Sequence, residues 1–312
     1  MSASWKTRDI KLPFWLGEIC LFRKSFKLQT INVDFIRFDA ANKDTQIPRE
    51  IDENAQGMML YSLPINEDHK TIWREEGYIN YISQVYRRYY TDLDGTFENY
   101  MNRFSSKTRS TLKRKMRKFE KECGGTIDCR LYQTPDEIEE FYPLARAISK
   151  ETYQEKLLDA GLPVDDGFKE DMVRHAKNGT VRAFILFQND RPVAYLYLPI
   201  FNNIVIYAYV GYLPDVGHLS AGTVLFLKAL EYLFSDEDAH IFDFTEGQSD
   251  QKEQFSTHNV YCVNLYKLQD SFANSFWLNL HRILDLFSRT LNKILEKVGI
   301  KSFLKKMLRR QN

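Results

Sequence analysis

At 312 residues, 44% of them apolar and including 22 Phe and 18 Tyr, the chain carries too much core material to be disordered and enough for two modest domains. The formal net charge of +1 hides an asymmetry, because from Ser271 to Asn312 nine Lys/Arg stand against Asp285 and Glu296, a net +7. No run approaches the roughly 20 apolar residues that span a bilayer, the first residues lack a signal-peptide core, and Cys20, Cys123, Cys129, Cys262 and the six histidines show no ligand spacing. These features predict an intracellular, cytoplasmic protein with no metal and no disulfide framework.

Residues 1–100 hold short apolar runs, Ile19 to Phe22, Val33 to Phe38, Met58 to Leu63 and Tyr78 to Tyr90, broken by polar turns and by Pro48 and Pro64, and read as a strand-rich N-terminal domain. Residues 101–125 form a basic connection. Between Lys107 and Lys121 lie eight Lys/Arg, while Leu112, Met116 and Phe119 fall at i, i+4, i+7, which predicts an amphipathic helix. Cys123-Gly124-Gly125 ends it.

From 126 to 270 the order is legible element by element. Thr126 to Tyr132 alternates as a strand, Thr134-Pro135-Asp136-Glu137 caps a helix over 136–149, and a second helix runs from about 166 to 177. Val181 to Gln188 and Pro192 to Ile200 flank a hairpin turn, Asn202-Asn203 makes another, and Ile204 to Tyr212 is the third strand. A helix over Ser220 to Phe234 leads to a short strand, His240 to Phe244, which should run parallel to the third strand because the crossover is helical. A short helix near 250–256 and a strand over Val260 to Leu268 follow. Residues 271–312 read as a basic amphipathic helical tail, with Leu280, Ile283, Leu284, Phe287, Leu291, Ile294, Leu295, Val298, Phe303 and Leu304 at helical spacing. That stripe fits packing on the protein or contact with an anionic membrane surface.

Two segments carry chemistry. Tyr209 to Thr223 passes from strand through turn to helix start, presenting backbone amides of the kind that bind anions, although Gly217 and Gly222 also suit plain turn packing. His240 to Phe255 places Asp243, Thr245, Glu246 and Lys252 at and after the carboxyl end of a parallel strand, where ligands bind. Asp243 between two phenylalanines suits a desolvated base, or a structural pair with Lys252 or a backbone amide.

With the basic Ser105 to Lys121 helix, Gly211-Tyr212-Leu213-Pro214 and Asp243 to Lys252, the chain resembles, over residues 97–268, the acetyltransferase domains grouped with the CelD/BcsL polysaccharide-biosynthesis proteins in the GNAT superfamily. Ala221 stands where that pattern has Pro, and Gln251 where it has Tyr. The resemblance implies an α/β (α+β) mixed-sheet fold, with residues 1–100 as a degenerate second copy of the GNAT-like domain. It implies acetyl-CoA or another short acyl-CoA as co-substrate, its pantetheine in a wedge between strands 204–212 and 240–244. Val210, Gly211, Tyr212, Gly217, His218, Ser220, Ala221, Gly222 and Thr223 would hold the coenzyme. Glu246 or Asp243 would be the base, the amide of Val210 or Gly211 the oxyanion donor, Tyr209 or Tyr212 the acid, and Lys252 part of the catalytic group. Lys107, Arg109 and Gln248 would meet the acceptor, an amine, by resemblance a nucleotide-linked amino sugar of surface polysaccharide. An aminoacyl or peptidyl transferase of the Fem type and a non-catalytic scaffold are the alternatives, and the protomer would act as monomer or homodimer. Nucleic acid fits poorly, given the near-neutral total charge and the lack of a reading motif.

Overall fold

The computed structural model describes residues 6–17, 19–38, 47, 51–65, 69–152, 155 and 161–297, the last six of these by backbone alone. Val298, Phe303 and Leu304 of the expected tail lie outside the described residues, as do the side chains of Ile294 and Leu295. The chain divides into two compact units, Met1–Arg87 with Val260–Asn312, and Arg88–Asn259. These boundaries differ from the expected ones at 100, 126 and 270, since the basic helix belongs with the second unit and the strand after Val260 with the first.

The first unit begins with β1 (Lys6–Leu16), β2 (Ile19–Asn32), β3 (Gly57–Pro64) and β4 (Ile72–Glu75), and takes the start of β5 (Tyr78–Asp92). β1 and β2 form an antiparallel hairpin, β2 runs parallel to β3, and β4 pairs antiparallel with β5. The strand expected over Val33 to Phe38 is a turn. The Asp34 carboxylate accepts from the N–H groups of Ile36 and Arg37 at 3.3 and 3.2 Å, and this local bonding outcompetes a sheet ladder.

In the second unit α1 (Phe97–Asn102) and α2 (Ser106–Glu122) precede β6 (Asp128–Tyr132), α3 (Pro135–Glu151) and α4 (Asp166–Lys177). α2 buries Leu112 and Phe119 with Met116 packed beside them, which is the stripe the heptad spacing requires. Thr134 caps α3 reciprocally: its hydroxyl accepts from Glu137 N–H, and Glu137 Oε2 accepts from Thr134 N–H at 2.9 Å. β7 (Val181–Gln188), β8 (Arg191–Phe201), β9 (Ile204–Ile206) and β10 (Tyr209–Tyr212) come next. Their hairpins turn on Asn189-Asp190 and Asn202-Asn203, all four at positive φ, where Asn and Asp are tolerated best. A 3₁₀ turn (Pro214–Leu219) leads into α5 (Ala221–Leu233), then β11 (Ile241–Asp243) and α6 (Asp250–Phe255).

β6, β7 and β8 are antiparallel neighbours; β9 joins β8 to β11, in parallel with β11 as the helical crossover predicts. β11 pairs antiparallel with Tyr90–Asp92 at the end of β5. The core between sheet and helices is dense in aromatics, with Tyr207, Phe226, Phe242 and Phe244 packed edge to face or tilted at 5.0 to 6.0 Å. Arg182 on β7 is buried against Asp236, with Nε to Oδ2 at 2.6 Å, and this fixes the connection between α5 and β11.

β12 (His258–Gln269) and α7 (Phe272–Lys297) close the chain. Within the first unit β12 pairs antiparallel with β3, and α7 packs on β1 over a core of Leu12, Phe14, Phe26, Leu28, Tyr81, Tyr266 and Leu278. The β3 to β12 contact is tightest at Gly57, where an added Cβ would lie 2.3 Å from the Lys267 carbonyl oxygen. Because the obstruction is backbone, Gly57→Ala is expected to lower stability by about 1–3 kcal/mol in urea denaturation.

Candidate functional site: a split strand beside a basic helix

The strand expected over Ile204 to Tyr212 does not continue unbroken. Val205 stands opposite Ile200 and Tyr209 opposite Tyr197, so Ile206, Tyr207 and Ala208 face only Leu198 and Pro199. This is a β-bulge of one extra residue. Ile200 N–H donates to Thr180 O on the β7 side, so the alternation of the pleat turns the Pro199 nitrogen toward the bulge, where proline has no hydrogen to give.

Beyond the bulge the two halves have different neighbours. β9 stays with β11 up to a last rung, Tyr207 N–H to Asp243 O at 2.9 Å, while β10 stays with β8. Leu213 N–H donates to Val193 O, which sets the parity of β10: Tyr209 and Gly211 bond to β8, and Val210 and Tyr212 turn their N–H and C=O groups to the other side. Among the described residues no strand pairs with that edge. The expected wedge is therefore present, and of the two amides considered for an oxyanion, Val210 faces the opening while Gly211 is committed to the sheet. Gly211 has a packing reason to be glycine, because a Cβ there would lie 2.5 Å from the Tyr195 ring and 2.8 Å from Thr152.

At the far end of β10 the chain turns through Pro214–Leu219 to α5. Ser220, at φ 59°, caps that helix without a side-chain hydrogen bond, while Thr223 and Val224 N–H both reach Ser220 O. Helix geometry leaves the N–H groups of Ala221 and Gly222 as the orphan donors of this terminus. The Tyr212 ring lies across it, 3.1 Å from where a Cβ of Gly222 would be, so Gly222 serves close packing; a Cβ on Gly217 would lie 3.7 Å from the same ring. His218 is exposed and its ring Nδ1 lies 2.8 Å from Asp215 O.

The basic helix reaches this terminus. Lys118 Nζ donates to His218 O at 2.9 Å, and Lys115 Nζ lies 3.5 Å from Thr223 Oγ1. A cleft of about 540 Å³ opens here, lined by Lys107, Thr108, Thr111 and Lys115 of α2, Thr223 of α5, and Gln251 and Gln254 of α6. Gln251, where the family pattern has tyrosine, is thus a wall of the cleft. Lys107 lines it. Arg109 does not: its guanidinium is spent on the carbonyls of Asn102 and Phe104 at 3.0 and 2.5 Å, bracing the turn between α1 and α2. Gln248 is exposed on the loop before α6.

At the carboxyl end of β11, Asp243 is fully buried, as its phenylalanine neighbours predict, but neither free as a base nor paired with Lys252. Arg88 of β5 grips both of its oxygens, Nε to Oδ1 at 3.0 Å and Nη2 to Oδ2, and Thr245 N–H donates to Oδ1 at 2.9 Å. These charge-assisted bonds tie the loop after β11 to β5. That loop carries Thr245 and Gly247 at positive φ and presents Glu246 to solvent. Lys252 donates to the Glu246 carbonyl at 2.7 Å; burial lowers its pKa, with Asp243 and Glu246 opposing. Tyr209 packs edge-on against Phe168 at 5.2 Å, and burial raises its phenol pKa. Arg88 was not anticipated, and its only sequence signal is an arginine pair inside an otherwise aromatic strand. Among the described residues no three His, Cys, Asp or Glu converge as metal ligands.

Residues 106–253 match the family described as the acetyltransferase (GNAT) domain. Among solved structures, the chain is similar to the C-terminal domain of a putative lysylphosphatidylglycerol synthetase from Agrobacterium fabrum at 10% identity and TM-score 0.47, covering 73% of this chain and 72% of that one. FemX is similar at 12% identity and TM-score 0.47, over 84% and 88% of the two chains. The PaiA N-acetyltransferase from Thermoplasma acidophilum, in complex with coenzyme A, matches at 13% identity and TM-score 0.25, over 35% and 72%. No curated protein matches the chain.

The buried pair gives a test of this anchoring role. Arg88→Ala strands Asp243 in the interior and is expected to cost about 3–5 kcal/mol in urea denaturation, whereas Glu246→Gln, on the exposed loop, should stay within about 0.5 kcal/mol of the parent.

Proposed function

We propose, from the premise that residues 106–253 carry a GNAT-type acetyltransferase domain, that the protein transfers an acetyl or short acyl group from acyl-CoA to a primary amine. The observation that carries this reading is the open edge of β10, with Val210 and Tyr212 turned outward, ending at a helix terminus flanked by Lys115. Pantetheine contains two amides, and it would add to that edge as an extra strand does. The diphosphate would meet the orphan amides of Ala221 and Gly222, the Thr223 hydroxyl and Lys115, and Lys107 adds charge along the same cleft.

With the thioester at the bulge, Val210 N–H is aimed where its carbonyl oxygen becomes an oxyanion. The acceptor enters as an ammonium and must lose a proton before attack. Glu246 takes it, directly or through water, as the exposed carboxylate of the loop that Asp243 and Arg88 hold. The C–N bond forms and the C–S bond breaks; Tyr209, its phenol kept protonated by burial, gives its proton to the departing thiolate and takes up the second proton that the nitrogen sheds as it becomes an amide. Lys252 positions the loop through the Glu246 carbonyl. An amino sugar, nucleotide-linked and destined for surface polysaccharide, is the acceptor favoured by the resemblance to the CelD/BcsL group.

Release of free thiol from acetyl-CoA, over a panel of free and nucleotide-linked amino sugars, tests the reading. Glu246→Gln should lower kcat by about 10²–10⁴ with coenzyme A affinity retained, and Lys115→Ala should weaken coenzyme A binding roughly tenfold with kcat kept. Tight coenzyme binding with no turnover on any amine would favour the scaffold alternative, and absence of coenzyme binding would remove the proposal altogether.

A further inference from the structure

A surface helix ordinarily has one apolar face, turned to the core. α7 has two. Trp277, Leu278, Leu280 and Leu284 pack onto the β1–β2 hairpin and its neighbours, and on the same side His281 Nδ1 lies 2.6 Å from Tyr81 OH. At 3.6 residues per turn, Phe272, Phe276, Ile283, Leu286 and Phe287 fall in an arc of roughly 100° on the opposite side. Phe272 is 90% exposed, and the other four are each more than half exposed.

The hairpin continues this apolar surface. Phe22, stacked on Phe14, is 6.0 Å from Trp277, which also meets Phe14 at 5.9 Å and Phe276 at 5.2 Å. Trp15, Ile19 and Leu21 are exposed at the hairpin tip, which is fixed to the helix because Gly17 N–H donates to Ser288 Oγ while Ser288 Oγ–H donates to Trp15 O. Exposed apolar side chains in such number are of a kind that soluble surfaces rarely leave open.

Charge decides the occupant. β1 and β2 together carry six Lys/Arg against Asp9, and the sequence from Ser271 onward is a net +7. A second copy would bring two strongly positive segments together, whereas an anionic lipid surface complements both the cations and the exposed aromatics. Among the described residues no helix is long and apolar enough to cross a membrane, which leaves a lateral contact. We propose that the outward face of α7 and the tip of the β1–β2 hairpin dock this protein on an anionic bilayer surface, with Phe276, Ile283 and Phe287 entering the headgroup layer. This inference is independent of the acyltransferase reading.

Cosedimentation of the full chain with vesicles tests it. Vesicles of phosphatidylcholine with 30% phosphatidylglycerol should bind the protein at least about tenfold more strongly than pure phosphatidylcholine, and 0.5 M NaCl should reverse most of the difference. Ile283→Ser with Phe287→Ser should reduce binding roughly tenfold with circular dichroism and melting unchanged, since both residues are exposed. Equal binding by the double variant, or no binding to anionic vesicles, overturns the proposal. If the same variant instead converts a dimer to a monomer in sedimentation and vesicles never bind, the face is an interface between copies.

Discussion

One missing hydrogen and one extra residue shape the second unit. Pro199 cannot donate toward the neighbouring strand, and the extra residue among Ile206, Tyr207 and Ala208 puts β9 and β10 out of register with each other. β9 is then free to run with β11, and β10 keeps its place on β8. The two cannot both continue in one plane, so a strand edge opens inside the unit. Aromatic packing by Tyr207, Phe242 and Phe244 fills the space beneath it, and the Arg88–Asp243 pair holds the carboxyl end of β11 in place.

The basic helix α2 gains its meaning from this geometry. On its own a run of eight Lys/Arg is a solvated face. Here Lys115 reaches Thr223 in the first turn of α5, where orphan N–H groups already concentrate positive potential, and Lys118 the His218 carbonyl of the turn before it. Like charge gathered at one place is costly unless an anion completes it, which makes the cleft between α2, α5 and α6 the part of the unit best suited to a phosphorylated ligand.

Much of this was legible in the sequence, because the second unit is built from local signals. Thr134 to Glu137 spells a capping box, the Asn-Asp and Asn-Asn dipeptides spell hairpins, and a helix between short strands makes them parallel. The corrections arise where long-range partners decide. Arg88 and Asp243 are 155 residues apart, so the sequence could show Asp243 buried but not what neutralises it. Arg109, expected at the acceptor, instead donates to the nearby carbonyls of Asn102 and Phe104. Val33 to Phe38 had strand composition, yet one aspartate side chain bonding its own backbone was enough to make a turn. The tail read as a single amphipathic stripe, and only the structure separates its docked residues, Leu280 and Leu284, from its exposed ones, Ile283 and Phe287.

Backbone amide exchange measured with and without acetyl-CoA addresses the open edge most directly. The account predicts that Val210 and Tyr212 N–H, which exchange readily in the free protein, slow markedly when the coenzyme is bound, while Gly211 N–H, already bonded to β8, changes little. Bound coenzyme with Val210 and Tyr212 exchanging as before would contradict it.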